Sequence, residues 1–137
     1  MTRKPTLAVL ATFLFCLVLS CFPAAAGLIQ GGADGLTRRR ALLLMPVLWV
    51  LMEWVKGWIF TGFPWLSLGY SQGVISPLAG FAPLTGVYGV SLVSAWCAGA
   101  LALLMDARLR QHGKASMGFP ALFMLMLVVL GFALKQV

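Results

Sequence analysis

The sequence lacks the charge that keeps a soluble protein in water. Asp, Glu, Lys and Arg together make up 9% of its 137 residues, and 61% are hydrophobic. Soluble domains carry about 25% charged residues. This composition argues against a water-soluble globular fold and favours an integral membrane protein.

Paired metal ligands and redox motifs are also missing. Cys16, Cys21 and Cys97 form no C-x-x-C pair, and all three lie within apolar runs, where a thiol is usually unreactive. The single histidine, His112, lies in a basic loop without a neighbouring ligand. The sequence therefore predicts no metal site and no cofactor.

The net charge of +7 raises the question of nucleic-acid binding. A nucleic-acid binder gathers its Lys and Arg side chains on one folded polar face. Here these residues form short clusters between apolar runs, as they do in the loops of membrane proteins. We therefore expect no nucleic-acid partner.

Four apolar runs are long enough to be membrane spans. They lie near residues 7–29, 41–60, 84–105 and 117–134. The first has 23 uncharged residues, enough to cross a hydrocarbon core about 30 Å thick and more than the apolar core of a secretory signal. A spanning helix is therefore favoured over a cleaved signal. The predicted fold is all-α: one polytopic membrane domain over 1–137.

Residues 61–83 hold no charge but many helix breakers, namely Gly62, Pro64, Gly69, Gly73, Pro77, Gly80 and Pro83. A regular spanning helix is not expected with glycine and proline so dense. Irregular backbone at membrane depth must be buried in protein or hydrated. We predict an interfacial loop with short helical or re-entrant pieces.

Small residues recur every four positions in the third run, at Ser91, Ala95 and Gly99. Such a series forms a helix face that another helix can approach closely. We therefore expect tight helix packing at this face.

The positive charges predict an orientation. With four spans, residues 30–40 and 106–116 lie on one side and hold six Lys or Arg side chains, whereas the other side holds three. Cytoplasmic loops carry the excess of positive charge, so we expect these two loops to be cytoplasmic. Arg3 and Lys4 oppose this assignment, which suggests that Met1 is not the natural start of the architecture.

Glu53 and Lys56 interrupt the second apolar run, and ionisable groups in such a run indicate a functional site. They are three residues apart and share one helical face, so Lys56 can pair with Glu53 or extend towards the interface. Glu53 is paired, protonated or facing a polar cavity; the sequence leaves these three alternatives open.

Aromatic residues follow this pair, as is typical of a membrane–water boundary. The candidate lipid-binding or interfacial residues are Glu53, Lys56, Trp58, Phe63, Trp65 and Tyr70. Anchoring at the interface is the simpler interpretation, and direct contact with substrate is the alternative.

A specific resemblance rests on the same residues. The stretches 53–58 (EWVKGW), 61–66 (TGFPWL) and 68–72 (LGYSQ), continued by 77–83 and 86–91, resemble the membrane portion of bacterial apolipoprotein N-acyltransferase. The sequence departs from that family at Lys56, where Arg is more usual. Lys cannot make the bidentate carboxylate contact that Arg makes.

The resemblance implies transfer of an acyl chain from phospholipid to the N-terminal diacylglyceryl-cysteine of lipoproteins in the bacterial inner membrane. It also implies a periplasmic nitrilase-like domain with a Glu-Lys-Cys triad, expected beyond Val137. None of the triad can be assigned to this sequence, so we predict no catalytic residue here. The expected partners are phospholipid and, through the missing domain, a lipoprotein.

A non-enzymatic function is the alternative hypothesis. A small multi-span protein with this sequence would act as a lipid-binding or assembly module. A channel or transporter would have only Glu53 and Lys56 as pathway residues. The coding sequence downstream of Val137 distinguishes a truncated acyltransferase from a stand-alone module.

Overall fold

All of the regular secondary structure in the described residues of the computed structural model is helical. The structure describes residues 3–30, 40–59, 67–73, 75–109 and 114–136. Its four long helices are α1 (Arg3–Gln30), α2 (Met45–Trp58), α3 (Ala82–Leu109) and α4 (Lys114–Lys135). A π-helical turn, Arg40–Leu44, leads into α2, and two short 3₁₀ helices, Leu68–Ser71 and Pro77–Phe81, lie between α2 and α3.

Four helical stretches are long and apolar enough to cross a membrane, which confirms the predicted all-α membrane bundle. They run Pro5–Ile29, Ala41–Trp58, Pro77–Leu109 and Gly118–Lys135. Large apolar side chains cover the outside of the bundle, such as Phe13 on α1 and Leu122 on α4. A helix that is apolar on all sides and exposed in the isolated chain is suited to contact with lipid.

The third apolar stretch begins earlier than the predicted 84–105 because the second 3₁₀ helix leads directly into α3. Ser76 caps that 3₁₀ helix, its Oγ accepting a hydrogen bond from the Leu78 N–H at 3.3 Å, and Pro77 occupies its first turn. Gly86 then kinks α3 with φ +64° and ψ −168°. The predicted loop therefore contains helical pieces, as expected, while its first part, 61–66, lies outside the described residues.

The core forms where α3, α4 and the second 3₁₀ helix meet. Its buried apolar residues are Leu78, Phe81, Val90, Val93 and Leu127. The Trp96 and Phe123 rings meet edge to face beside it, with centroids 6.2 Å apart. Gly80 and Gly131 let the 3₁₀ helix and α4 approach backbone to backbone, since a Cβ at residue 80 would overlap the Gly131 carbonyl.

The small-residue face of α3 is buried, as predicted. A Cβ on Gly99 would overlap the Ala41 carbonyl, so only glycine permits this contact between α3 and the π-helical turn that leads into α2. The Trp96 Nε1–H donates a hydrogen bond to the Leu42 carbonyl at 2.7 Å and holds the same two elements together. This packing places the middle of α2 next to Ser91.

Candidate functional site

The carboxylate of Glu53 is the centre of a buried hydrogen-bond network. Its Oε1 accepts from the Trp49 Nε1–H at 2.8 Å and from the backbone N–H of Leu68 at 2.7 Å. Its Oε2 accepts from the Ser91 hydroxyl at 2.6 Å. Only 4% of Glu53 is exposed. One side chain on α2 thus binds its own helix, the loop and α3.

Ser91 extends the network to a second backbone group of the loop. Its hydroxyl donates to Glu53 and accepts from the N–H of Gly69 at 2.8 Å. Ser91 is fully buried, with no exposed surface. A serine hydroxyl can donate one bond and accept others, so it fits between a carboxylate and an N–H group. We call Glu53, Ser91, Trp49 and the N–H groups of Leu68 and Gly69 the Glu53 network.

Local sequence explains how these groups meet. Trp49 and Glu53 are four residues apart on α2 and therefore lie on one face. The helix ends at Trp58, and the backbone of the next residue, Ile59, is extended with ψ 145°. Gly69 lies so close to α3 that a Cβ there would overlap the Val87 carbonyl, so a side chain at this position would push the loop away.

The Glu53–Lys56 pair, one of the alternatives that the sequence left open, is not present among the described residues. Glu53 is bound to Trp49, Leu68 and Ser91, whereas Lys56 is half-buried and forms no ion pair with it. The three hydrogen-bond partners of Glu53 are therefore neutral groups on α2, on α3 and in the loop. Lys56 instead lines a groove on the α1 side of α2.

That groove lies between α1 and α2 and has a volume of about 200 Å³. We call it the α1–α2 groove. One wall comes from α1 and the other from α2; the lining residues are Leu19, Phe22, Pro23, Ala26, Trp49, Met52, Glu53 and Lys56. Apart from Lys56 and the edge of the Glu53 network, the walls are apolar.

The predicted aromatic residues fall into two groups. Trp58 and Tyr70 are 74% and 63% exposed and lie outside the Glu53 network. Phe63 and Trp65 lie outside the described residues. Trp54 was not among the candidates, yet its ring packs on Trp58 with centroids 5.6 Å apart, and both are exposed on one side of α2.

The sequence did not identify Leu68, Gly69 and Ser91 as partners of Glu53. Ser91 was recognised only as a small residue suited to close packing. A hydroxyl on a face otherwise formed by Ala95 and Gly99 was the available signal, because a buried hydroxyl needs a partner.

Nucleophiles and metal ligands are not gathered at this site. Within the described ranges, no group of three His, Cys, Asp or Glu residues is positioned to hold a metal ion. Cys16 and Cys21 lie exposed on α1, and Cys97 is half-buried on α3. The arrangement holds a loop in place and presents one lysine to a groove.

Comparison with known proteins gives a consistent result. The family model described as the apolipoprotein N-acyltransferase N-terminal domain matches residues 1–100. The apolipoprotein N-acyltransferase of Nitrosomonas europaea is 40% identical over 134 residues, which cover 98% of this chain and 26% of that protein. The corresponding protein of Coxiella burnetii is 47% identical over 107 residues, 74% of this chain and 21% of the relative.

A shorter match reaches higher identity. The Vibrio cholerae protein of the same name is 52% identical over 66 residues, 48% of this chain and 13% of the relative. The chain thus spans about a quarter or less of the length of these curated relatives. No solved structure matches.

Proposed function

Because the chain belongs to the apolipoprotein N-acyltransferase family, we propose that it forms the membrane platform of such an enzyme in the bacterial inner membrane. The complete enzyme would transfer an acyl chain from a phospholipid ester to the free amino group of an apolipoprotein. The ester bond breaks and an amide bond forms, leaving a lysophospholipid. The platform would support the parts that carry out this chemistry.

The observation that carries the proposal is the Glu53 network. It lies within residues 1–100, the part that matches the family's N-terminal domain. Through it, two consecutive backbone N–H groups of the loop, at Leu68 and Gly69, are bound to side chains of α2 and α3. A loop bound to two spanning helices offers a fixed surface on which a catalytic domain can rest.

The exposed aromatic residues support a second element of the proposal. Tyr70 projects from the fixed 3₁₀ helix, and Trp58 lies exposed at the end of α2. Aromatic rings settle at the headgroup level of a bilayer. We propose that these residues, with Phe63 and Trp65 of the same loop, form the wall along which an acyl donor enters.

Acyl transfer itself is proposed to require groups outside these residues. Covalent catalysis needs a nucleophile beside a base in a polar setting. Cys16, Cys21 and Cys97 all lie on apolar spanning helices. We therefore expect the isolated chain to bind lipid without acylating a lipopeptide.

A chimaera tests the platform. The segment of the Nitrosomonas europaea enzyme that aligns with this chain, over 134 residues, can be replaced by it. We expect the purified chimaera to acylate a diacylated lipopeptide in phospholipid micelles at a rate within about tenfold of the parent, because a platform needs the same loop position rather than the same sequence.

A second chimaera carries Ser91→Ala, which removes the hydrogen bonds of Ser91 with Gly69 and Glu53. Its matched control is a chimaera with Leu122→Ala on the exposed face of α4. The acylation rate should fall more in the Ser91→Ala chimaera than in the control. A chimaera that folds at parental levels and acylates nothing would contradict the proposal and favour a lipid-binding or assembly module.

A further inference from the structure

We propose that the α1–α2 groove binds a glycerophospholipid, with the lipid phosphate at the Lys56 ammonium and one acyl chain along the apolar wall. The site is distinct from the loop that we propose as the entry wall for the acyl donor. The proposal rests on the groove, on Lys56 and on the nearby exposed tryptophans, so it does not depend on the proposed acyl transfer.

The two walls of the groove have the same spacing. Leu19, Phe22, Pro23 and Ala26 on α1, like Trp49, Met52, Glu53 and Lys56 on α2, stand at positions i, i+3, i+4 and i+7. Such residues form one stripe along a helix, and seven residues rise about 10 Å. The groove is therefore an elongated channel between two helices, a shape that suits a hydrocarbon chain.

Among the described residues, Lys56 is the charged group of the groove that remains available to a ligand. Both oxygens of Glu53 accept hydrogen bonds within the Glu53 network, and the Trp49 Nε1–H is used by Glu53. Lys56 has no hydrogen bond or ion pair with another described residue. An ammonium beside an apolar channel favours a ligand with an anion at one end and hydrocarbon at the other.

The depth of Lys56 in the membrane also fits a phosphate. Trp54 and Trp58 lie on the opposite side of the same helix turns and are exposed. Exposed tryptophans mark the headgroup level. Lys56 lies between them in sequence, so we place its ammonium near the level of lipid phosphates and the apolar residues of the groove alongside hydrocarbon.

The volume limits how much of the lipid is enclosed. An apolar cavity of about 150 Å³ admits benzene. At about 200 Å³ the groove accommodates several methylene groups. The rest of the lipid would remain in the bilayer. We therefore expect one lipid per chain, held at one headgroup and the upper part of one acyl chain.

Native mass spectrometry of the 137-residue chain in detergent tests the proposal. We expect one retained phosphatidylglycerol per chain, and about tenfold less retention of a diacylglycerol with the same acyl chains. Inorganic phosphate should not displace the lipid. Lys56→Gln should lower retention about tenfold, the loss expected for one hydrogen bond to a charged group. Lys56→Arg should preserve retention.

Two matched controls make the result specific. Arg108→Gln removes an exposed charge at the end of α3 and should leave retention unchanged. Leu19→Trp fills the groove and should lower retention, whereas Leu17→Trp on the exposed side of α1 should not. Circular dichroism verifies that each variant is helical.

Three results would overturn the proposal. The Lys56→Gln variant could retain phosphatidylglycerol as well as the wild type does, or the wild type could retain diacylglycerol as well as phosphatidylglycerol. The third is an equal loss of lipid retention in the groove variants and in their controls. If the chain dimerises when detergent is diluted, and the Leu19→Trp variant does not, the occupant of the groove is a second copy of the chain instead. If the chain retains the lipid but the chimaera transfers no acyl group, the lipid site is supported and the proposed function is rejected.

Discussion

Burial of one carboxylate determines the geometry of the loop. A polar group without partners is costly in an apolar interior, and a charged one far more so. Glu53 avoids this penalty by accepting three hydrogen bonds, two of them from groups outside its own helix. The same bonds satisfy the Leu68 N–H and the Ser91 hydroxyl, so the carboxylate and the loop stabilise each other.

The first prediction compares two substitutions at Glu53. Glu53→Ala leaves the N–H of Leu68 and the indole N–H of Trp49 without their acceptor, and each orphaned buried donor costs about 1–3 kcal/mol. Glu53→Gln keeps an acceptor oxygen for both, and its amide can donate to the Ser91 Oγ. In mixed micelles we expect Glu53→Ala to unfold at a much lower SDS fraction than the wild type. Glu53→Gln should unfold at an SDS fraction close to that of the wild type.

Ser91→Ala provides the control for this comparison. Because Ser91 and Glu53 share a hydrogen bond, the losses from Glu53→Ala and Ser91→Ala should not add in the double variant. Additive losses, or a Glu53→Gln variant as unstable as Glu53→Ala, would contradict the network as the source of stability.

The sequence predicted part of this site. The position of Glu53 followed from hydropathy, because a carboxylate inside an apolar run must find partners. The partners did not follow, since Leu68 and Ser91 lie 15 and 38 residues away in the chain. The partner at Leu68 is a backbone N–H, which every non-proline residue has, so it cannot be predicted from the residue type.

At the scale of elements, the described part of the connection between α2 and α3 forms backbone hydrogen bonds within local turns. The N–H of Tyr70 donates to the Ser67 carbonyl at 3.0 Å, and that of Ser76 to Gly73 at 2.9 Å. These bonds explain how irregular backbone is accommodated next to spanning helices. Glycine and proline content predicted the irregularity, but the position of the first 3₁₀ helix depends on anchoring by Glu53 and Ser91.

The second prediction concerns the kink in α3. Gly86 has φ +64° and ψ −168°, a region that is essentially reserved for glycine. Apart from its chain neighbours and the nearby backbone of α3, no atom lies within 4 Å of a Cβ built there, so any effect of alanine comes from the backbone conformation. We expect Gly86→Ala to lower the free energy of unfolding by about 1–3 kcal/mol, measured by SDS unfolding in mixed micelles.

Gly27→Ala is the matched control, since Gly27 also has open space around it but lies within α1. Alanine is better than glycine in a helix by about 1 kcal/mol, so this variant should match or exceed wild type. Gly86→Ala with wild-type stability would show that the kink relaxes without penalty.

At the scale of the whole molecule, hydropathy was sufficient for the fold class. Runs of apolar residues predicted four spanning helices because the length needed to cross a bilayer is fixed. The way in which the helices pack was less predictable. Small-residue spacing predicted a close approach at Gly99 but not its partner, Ala41, and the Gly80–Gly131 contact joins two glycines with no shared motif.

The last prediction is the orientation, which rests on charge alone. The loops around residues 30–40 and 106–116 hold six Lys or Arg side chains against three on the other side, so they should be cytoplasmic. In a variant whose three cysteines are replaced by serine, single cysteines are placed at Arg39, Gln111 and Gln72. An impermeant maleimide added to intact spheroplasts should label position 72 and should reach positions 39 and 111 only after permeabilisation. Labelling of 39 and 111 in intact spheroplasts, with protection of 72, would reverse the topology and place the loop that Glu53 holds on the cytoplasmic side.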